Sequence, residues 1–175
     1  MKRIILIALL CLCVGQPAQS QQPPATPTIE VHFSPNGGCT ETIVKELNAA
    51  KKTVLVQAYS FTSAPIAKAL VDAHKRGVDV RVILDKSQRT AKYSSADFVA
   101  HAGILTLIDS RHAIAHNKVM IIDGETVLTG SFNFTKAAEE KNAENLLVIR
   151  DKAIVDRYAA NWQTHANHSE QYTGR

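Results

Sequence analysis

Between residues 29 and 108, short runs rich in Val, Ile and Leu alternate with stretches whose apolar residues recur three and four positions apart. That alternation restricts the fold more than any other feature. Strand, helix, strand, helix, strand is the order in which right-handed crossovers bury both faces of a sheet. The runs Ile29–Phe33, Thr53–Tyr59, Val78–Leu84 and Ile104–Ile108 read as strands. A helix is predicted from Thr40, with Ile43, Val44, Leu47 and Ala50 on one face. A second starts at Ser63 with Pro65 early in it, presents Ile66, Leu70 and Ala73, and stops before Gly77. A third, Ala96–Ala102, is closed by Gly103.

The rhythm then changes. Asn117–Ile122 and Glu125–Thr129 flank Asp123-Gly124, a pair that favours a type I′ hairpin. A strand at Asn145–Ile149 and a helix from Asp151 to His165 follow. These patterns predict one α/β domain over residues 23–175: a mixed, largely parallel sheet of about seven strands with helices on both faces, one hairpin carrying the chemistry described below.

Residues 1–22 stand apart. Lys2 and Arg3 precede an unbroken apolar run from Ile4 to Val14, then small residues at Ala18 and Ser20, the pattern of an export signal with its cleavage site. The expected location is therefore the periplasm or the medium, with no stable membrane association once the signal is removed. Pro23, Pro24 and Pro27 form an extended leader into the fold. Beyond residue 20 the chain holds 18 bases and 16 acids, a formal charge of +2. Bulk charge of that size excludes a polybasic nucleic-acid binder, so contact with a polyanion needs a local arrangement. Cys39 is the single cysteine outside the signal, so neither an internal disulfide nor a cysteine zinc site is expected. Neither a metal nor another cofactor is expected.

Chemistry concentrates in His116-Asn117-Lys118, with Asp123 five positions on and Gly130-Ser131-Phe132-Asn133 after it. On a strand His116 and Lys118 share one side of the sheet. Imidazole is a good nucleophile near neutral pH, and a fixed ammonium offsets charge on a phosphate oxygen. A turn at Gly130 can return Ser131 and Asn133 to the same strand end, where hydroxyl and amide donors would hold non-bridging oxygens. The spacing H-x-K-x4-D-x6-G-S-x-N specifies six positions at fixed intervals, which separates it from a chance H-x-K.

These residues resemble the HKD motif and downstream G-S-x-N of the phospholipase D superfamily, and the single motif copy in a compact exported chain is most similar to its bacterial endonucleases. The resemblance implies that His116 forms a covalent phosphohistidine, that Lys118 and Asn133 bind phosphate oxygens, and that Ser131 supports the site by hydrogen bonding. It implies a structural role for Asp123, which also opens the hairpin turn, and it makes Glu144 the acidic partner that orients the histidine. Superfamily members cleave phospholipids, transfer phosphatidyl groups or cut nucleic acid.

Three functions follow: a phosphodiesterase on DNA or RNA without sequence preference, a phospholipid hydrolase or transferase, and a non-catalytic nucleic-acid-binding module. The first is favoured. Lys86, Arg89 and Lys92, interleaved with Ser87, Gln88, Thr90 and Tyr93, follow a strand end where α/β sheets bind ligands, and Arg111 precedes the motif; all four are candidate backbone contacts. Some 155 residues leave little for an acyl-chain pocket. One histidine must attack and a second acid must protonate the leaving oxygen, so with a single H-x-K a homodimer with a composite site at its two-fold axis is expected, the alternative acid in a lone chain being His112. Trp162 is expected in the core, and His165 and His168 in a solvated tail.

Overall fold

The computed structural model describes residues 26–175, so the expected export segment lies outside the described residues. Eight strands form one sheet: β1 Thr28–Ser34, β2 Thr53–Ala58, β3 Asp79–Asp85, β4 Leu105–Asp109, β5 Lys118–Ile122, β6 Thr126–Gly130, β7 Glu144–Arg150 and β8 Glu170–Tyr172. The helices are α1 Cys39–Ala49, α2 Ala64–Lys75, α3 Ala96–His101, α4 Lys136–Glu140 and α5 Lys152–Ala166, with a 3₁₀ turn at Lys86–Arg89. The spatial order is β1-β7-β6-β5-β2-β3-β4-β8.

The mixed α/β architecture is the expected one, but its parallel part is smaller. Only β2–β3 and β3–β4 pair in parallel, joined through α2 and α3. The other five pairings are antiparallel. The reason lies in the connections. Three residues, Asp123 to Glu125, join β5 to β6 in a tight hairpin, and α4 stays at the edge where β6 ends instead of running back along the sheet. There its Glu139 carboxylate accepts the backbone N–H groups of Gly38 (3.1 Å) and Thr40 (2.7 Å), capping α1.

Both faces are covered, as the alternation along β5 requires. Met120 and Ile122 join the core beneath α1 to α4, and Val119 and Ile121 join the core beneath α5. Trp162 lies in that second core as expected, its indole N–H donating to the Val56 carbonyl at 2.9 Å. Cys39 is fully buried in α1, and burial, with Glu139 nearby, pushes its thiol up to about 11. Such a thiol is out of reach of a bridge between chains. No helix among the described residues is long and apolar enough to cross a membrane.

The hairpin turn has positive φ at both central residues, 55° at Asp123 and 67° at Gly124, as type I′ demands. Asp123 does more than turn the chain. Its carboxylate accepts the backbone N–H groups of Lys51 (2.9 Å), Lys52 (2.7 Å) and Thr53 (2.9 Å), which fastens the hairpin tip to the start of β2. Burial alone would raise its pKa; the three amides outweigh that and hold it below the usual carboxylate range. Asp123→Ala orphans all three donors and should cost about 2–3 kcal/mol. Because the folded pKa is depressed, the stabilisation is complete above the unfolded pKa of about 3.9 and disappears as pH falls through the folded value. Urea midpoints measured from pH 7 down to pH 2 should converge for the wild type and Asp123→Asn.

Candidate active site

The carboxyl ends of β2, β3, β4 and β6 and the amino ends of β5 and β7 lie along one edge of the sheet, as the pairs Ala58↔Lys118, Asp85↔Asp109 and Gly130↔Leu146 require. The motif sits on that edge. Asp85, buried at the end of β3, fixes the approach to it. One carboxylate oxygen accepts the Ala115 N–H at 2.7 Å, and the other accepts the Ser87 N–H at 2.9 Å. The next anchor is the Asn117 carbonyl, which accepts the Tyr59 N–H at 3.0 Å.

His116 is thereby left exposed and Lys118 buried, with 6% of its surface accessible. The ammonium donates to the His116 carbonyl at 2.7 Å and lies 5.1 Å from the centroid of the Tyr59 ring. The same ring stands 4.5 Å from the imidazole, tilted by 53°. Tyr59 thus supports both members of the H-x-K pair through one aromatic face. Burial lowers the Lys118 pKa, and the negative charge of Glu144 opposes that shift. The result is a cation held ready in a poorly solvated position.

Gly130 turns the chain into the second half of the motif. At φ 142° it occupies glycine-favoured territory, and a Cβ there would lie 2.3 Å from the Asn145 carbonyl oxygen. That carbonyl accepts the N–H groups of Ser131 and Phe132, both at 3.1 Å. Phe132 and Phe134 are buried, and Phe134 bridges to Phe61 beyond the end of β2. These two anchors hold the loop while Ser131 and Asn133 remain half-exposed. Ser131 Oγ accepts the Asn145 backbone N–H at 3.0 Å and its side-chain amide at 3.3 Å, which leaves the hydroxyl proton free to donate. Asn133 Oδ1 is buried without a hydrogen-bond partner among the described residues.

Glu144 begins β7 and is half-exposed. Its carboxylate accepts the Asn142 side-chain amide at 3.1 Å, and no hydrogen bond joins it to His116 among the described residues. Within one chain its charge acts on Lys118. The basic loop lies along the same sheet edge, but its cations differ. Arg89 is paired with Glu170 at 3.1 Å and Lys86 donates to the His112 carbonyl at 3.1 Å, whereas exposed Lys92 lies over the Tyr93 ring. Arg111 is exposed, with its backbone N–H on Asp109.

The expected solvated tail is instead a packed cluster. His165 and His168 are partly buried, and together with His112 they converge on Asp109, which is wholly buried. Burial would raise the Asp109 pKa; the three imidazoles and the Arg111 N–H more than reverse it. The expectation of no ligand set missed this cluster, whose four side chains come together only in the fold. Its signal in the sequence is D-x-x-H at 109 and 112 with H-x-x-H at 165 and 168.

Residues 43–165 match the family model described as a cardiolipin synthase, PLD-like domain. A phospholipase D of Rickettsia felis is 44% identical over 130 residues, covering 74% of this chain and 65% of that protein. A mitochondrial cardiolipin hydrolase of Xenopus laevis is 34% identical over 116 residues, 66% of this chain and 55% of that one. The chain therefore spans about two thirds or less of the length of these relatives. Among solved structures, the phospholipase D family member Nuc from Salmonella typhimurium superposes with a TM-score of 0.81 at 41% identity, covering 84% of this chain and 99% of that one. With the motif assembled on the sheet edge and the family model spanning most of the chain, this protein belongs to the phospholipase D superfamily, whose members are phosphodiester hydrolases and transferases.

Proposed function

We propose that the protein is a metal-independent phosphodiesterase that cuts DNA or RNA without sequence preference through a phosphohistidine on His116. The observation that carries this reading is an exposed imidazole beside a buried ammonium on an open sheet edge. An open edge admits a long polyanion. The clefts of about 840 and 790 Å³ lie against α1, α2 and α4 and between α2 and α3, and no motif residue lines either one. His116 would attack phosphorus; Lys118 and Asn133 would bind the non-bridging oxygens, and the Ser131 hydroxyl would donate beside them.

The leaving oxygen needs a proton, and we propose that a second copy of the chain supplies it from its own His116. Two observations support this. His112, the other candidate acid, is turned to Asp109 at 2.9 Å. Ile29, Val31 and Phe33 form an exposed apolar row on edge strand β1, whose end pairs Ser34 with Glu144 beside the site. In such a pair Glu144 would orient a histidine as well as support Lys118. Mixing wild-type protein with excess His116→Ala subunits under exchange should lower activity below simple dilution. A fully active monomer in sedimentation at assay concentration would refute the composite site.

The names of the Rickettsia and Xenopus relatives favour a second reading, hydrolysis of a phospholipid headgroup ester by the same histidine. One assay separates them. Plasmid DNA, RNA and labelled cardiolipin vesicles are each incubated with the protein, with and without chelator. Chelator-resistant cleavage of nucleic acid with intact lipid is the expected result; turnover of lipid alone would overturn it.

A further inference from the structure

The Asp109 cluster plays no part in the chemistry at His116, yet it gathers three imidazoles and a carboxylate from four places in the chain. Asp109 ends β4, His112 lies in the loop that follows, His165 is in the last turn of α5, and His168 is just beyond it. Oδ2 of Asp109 lies 2.8 Å from His165 Nδ1, 2.9 Å from His112 Nδ1 and 3.3 Å from His168 Nε2. The four ligand atoms all fall within 4.8 Å of one another, and the three ring centroids are 4.9 to 5.3 Å apart.

Hydrogen bonding alone accounts poorly for this arrangement. A carboxylate oxygen has two lone-pair sites; Oδ2 faces three imidazole nitrogens, and Oδ1 accepts the Arg111 N–H at 3.1 Å and lies 3.1 Å from His112 Nδ1 as well. A central cation removes the crowding by taking one lone pair from each group. The size is right for it. Ligands about 2.05 Å from a tetrahedral zinc ion stand about 3.3 Å from one another, so the shorter oxygen–nitrogen distances, from 2.8 Å, must open by about half an ångström while the imidazole nitrogens, at most 4.8 Å apart, draw inward. Three neutral nitrogens and one carboxylate oxygen are donors suited to zinc and not to magnesium or calcium. The half-exposed His112 side chain, against fully buried Asp109, gives an ion a way in.

We propose that Asp109, His112, His165 and His168 form a structural Zn²⁺ site that clips the end of α5 and the terminal strand β8 to the loop leading into His116. His112 stands four residues before the nucleophile, so the clip would stiffen the approach that Asp85 anchors from its other side. All four positions are filled by protein, which closes the site to water and assigns it to stability. It leaves hydrolysis at His116 independent of metal, so it stands or falls apart from the proposed function.

The test is binding of Zn²⁺ alone to the chelator-washed chain, with Co²⁺ as a spectroscopic probe. One ion per chain, intense visible bands of tetrahedral Co²⁺ and a raised melting midpoint are expected. His168→Ala should weaken binding at least tenfold, and adding His112→Ala should weaken it about a hundredfold or more by loss of two ligands. Both residues lie near the surface, so their replacement should leave circular dichroism unchanged. His116→Ala should bind zinc like the wild type. No uptake at stoichiometric zinc, or uptake lost in His116→Ala and retained in His168→Ala, would overturn the site.

Discussion

His116→Ala is expected to lower turnover by roughly 10⁴-fold or more, the scale on which enzymes lose activity when a covalent nucleophile is removed. The side chain is exposed, and its ring makes one contact of note, with Tyr59. Truncation therefore removes chemistry without opening a core cavity, and the melting midpoint should move little. Measured kcat should collapse while binding of a short oligonucleotide persists, because Lys118, Ser131 and Asn133 remain. A variant that kept near-normal kcat would exclude the imidazole as nucleophile.

Lys118→Met should lower kcat by about 10³-fold, at the upper end for loss of one charge-stabilising group. Methionine matches the buried stem and lacks the charge. The fold should hold or gain stability, because an ammonium with 6% accessibility is expensive to keep dry. The same position predicts a pH effect. Burial lowers the Lys118 pKa and Glu144 holds it up, so Glu144→Gln should lower it further. Activity that needs the protonated lysine is lost as pH rises through its pKa, so the alkaline limb of the kcat profile should move to lower pH in Glu144→Gln. An alkaline limb that stayed in place would dissociate Glu144 from Lys118.

Local patterns predicted the elements well where one element carries its own signal. Asp123-Gly124 specified the hairpin because both positions need positive φ, and Pro65 with Gly77 bracketed α2. The pattern was poorer where the answer depends on partners far along the chain. β1 pairs with β7 across more than a hundred residues, which no local periodicity encodes. The short α4 and β8 bury too few side chains to impose a period, and α4 is defined by its cap on α1 instead. The order of strands, and with it the share of antiparallel pairing, follows from those distant contacts.

The site divides in the same way. The placement of His116, Lys118, Gly130, Ser131 and Asn133 along one sheet edge was legible because one hairpin and its outgoing loop carry them. Tyr59 was not, since a tyrosine at a strand end looks like any other until β2 and β5 are paired. Arg89 read as a free cation because Glu170, which neutralises it, is 81 residues away. His165 and His168 read as tail residues for the same reason: Asp109, the group that gathers them, lies more than fifty residues earlier.

The most direct test of the account is to catch the bond it requires. DNA carrying labelled phosphate is mixed with excess protein, quenched within the first turnover in alkaline denaturant and digested for peptide mapping. The account predicts a phosphate-linked adduct on the peptide containing His116, stable to alkali, released by acid and absent from His116→Ala. Complete cleavage of the DNA with no adduct, or an adduct on another residue, would contradict it.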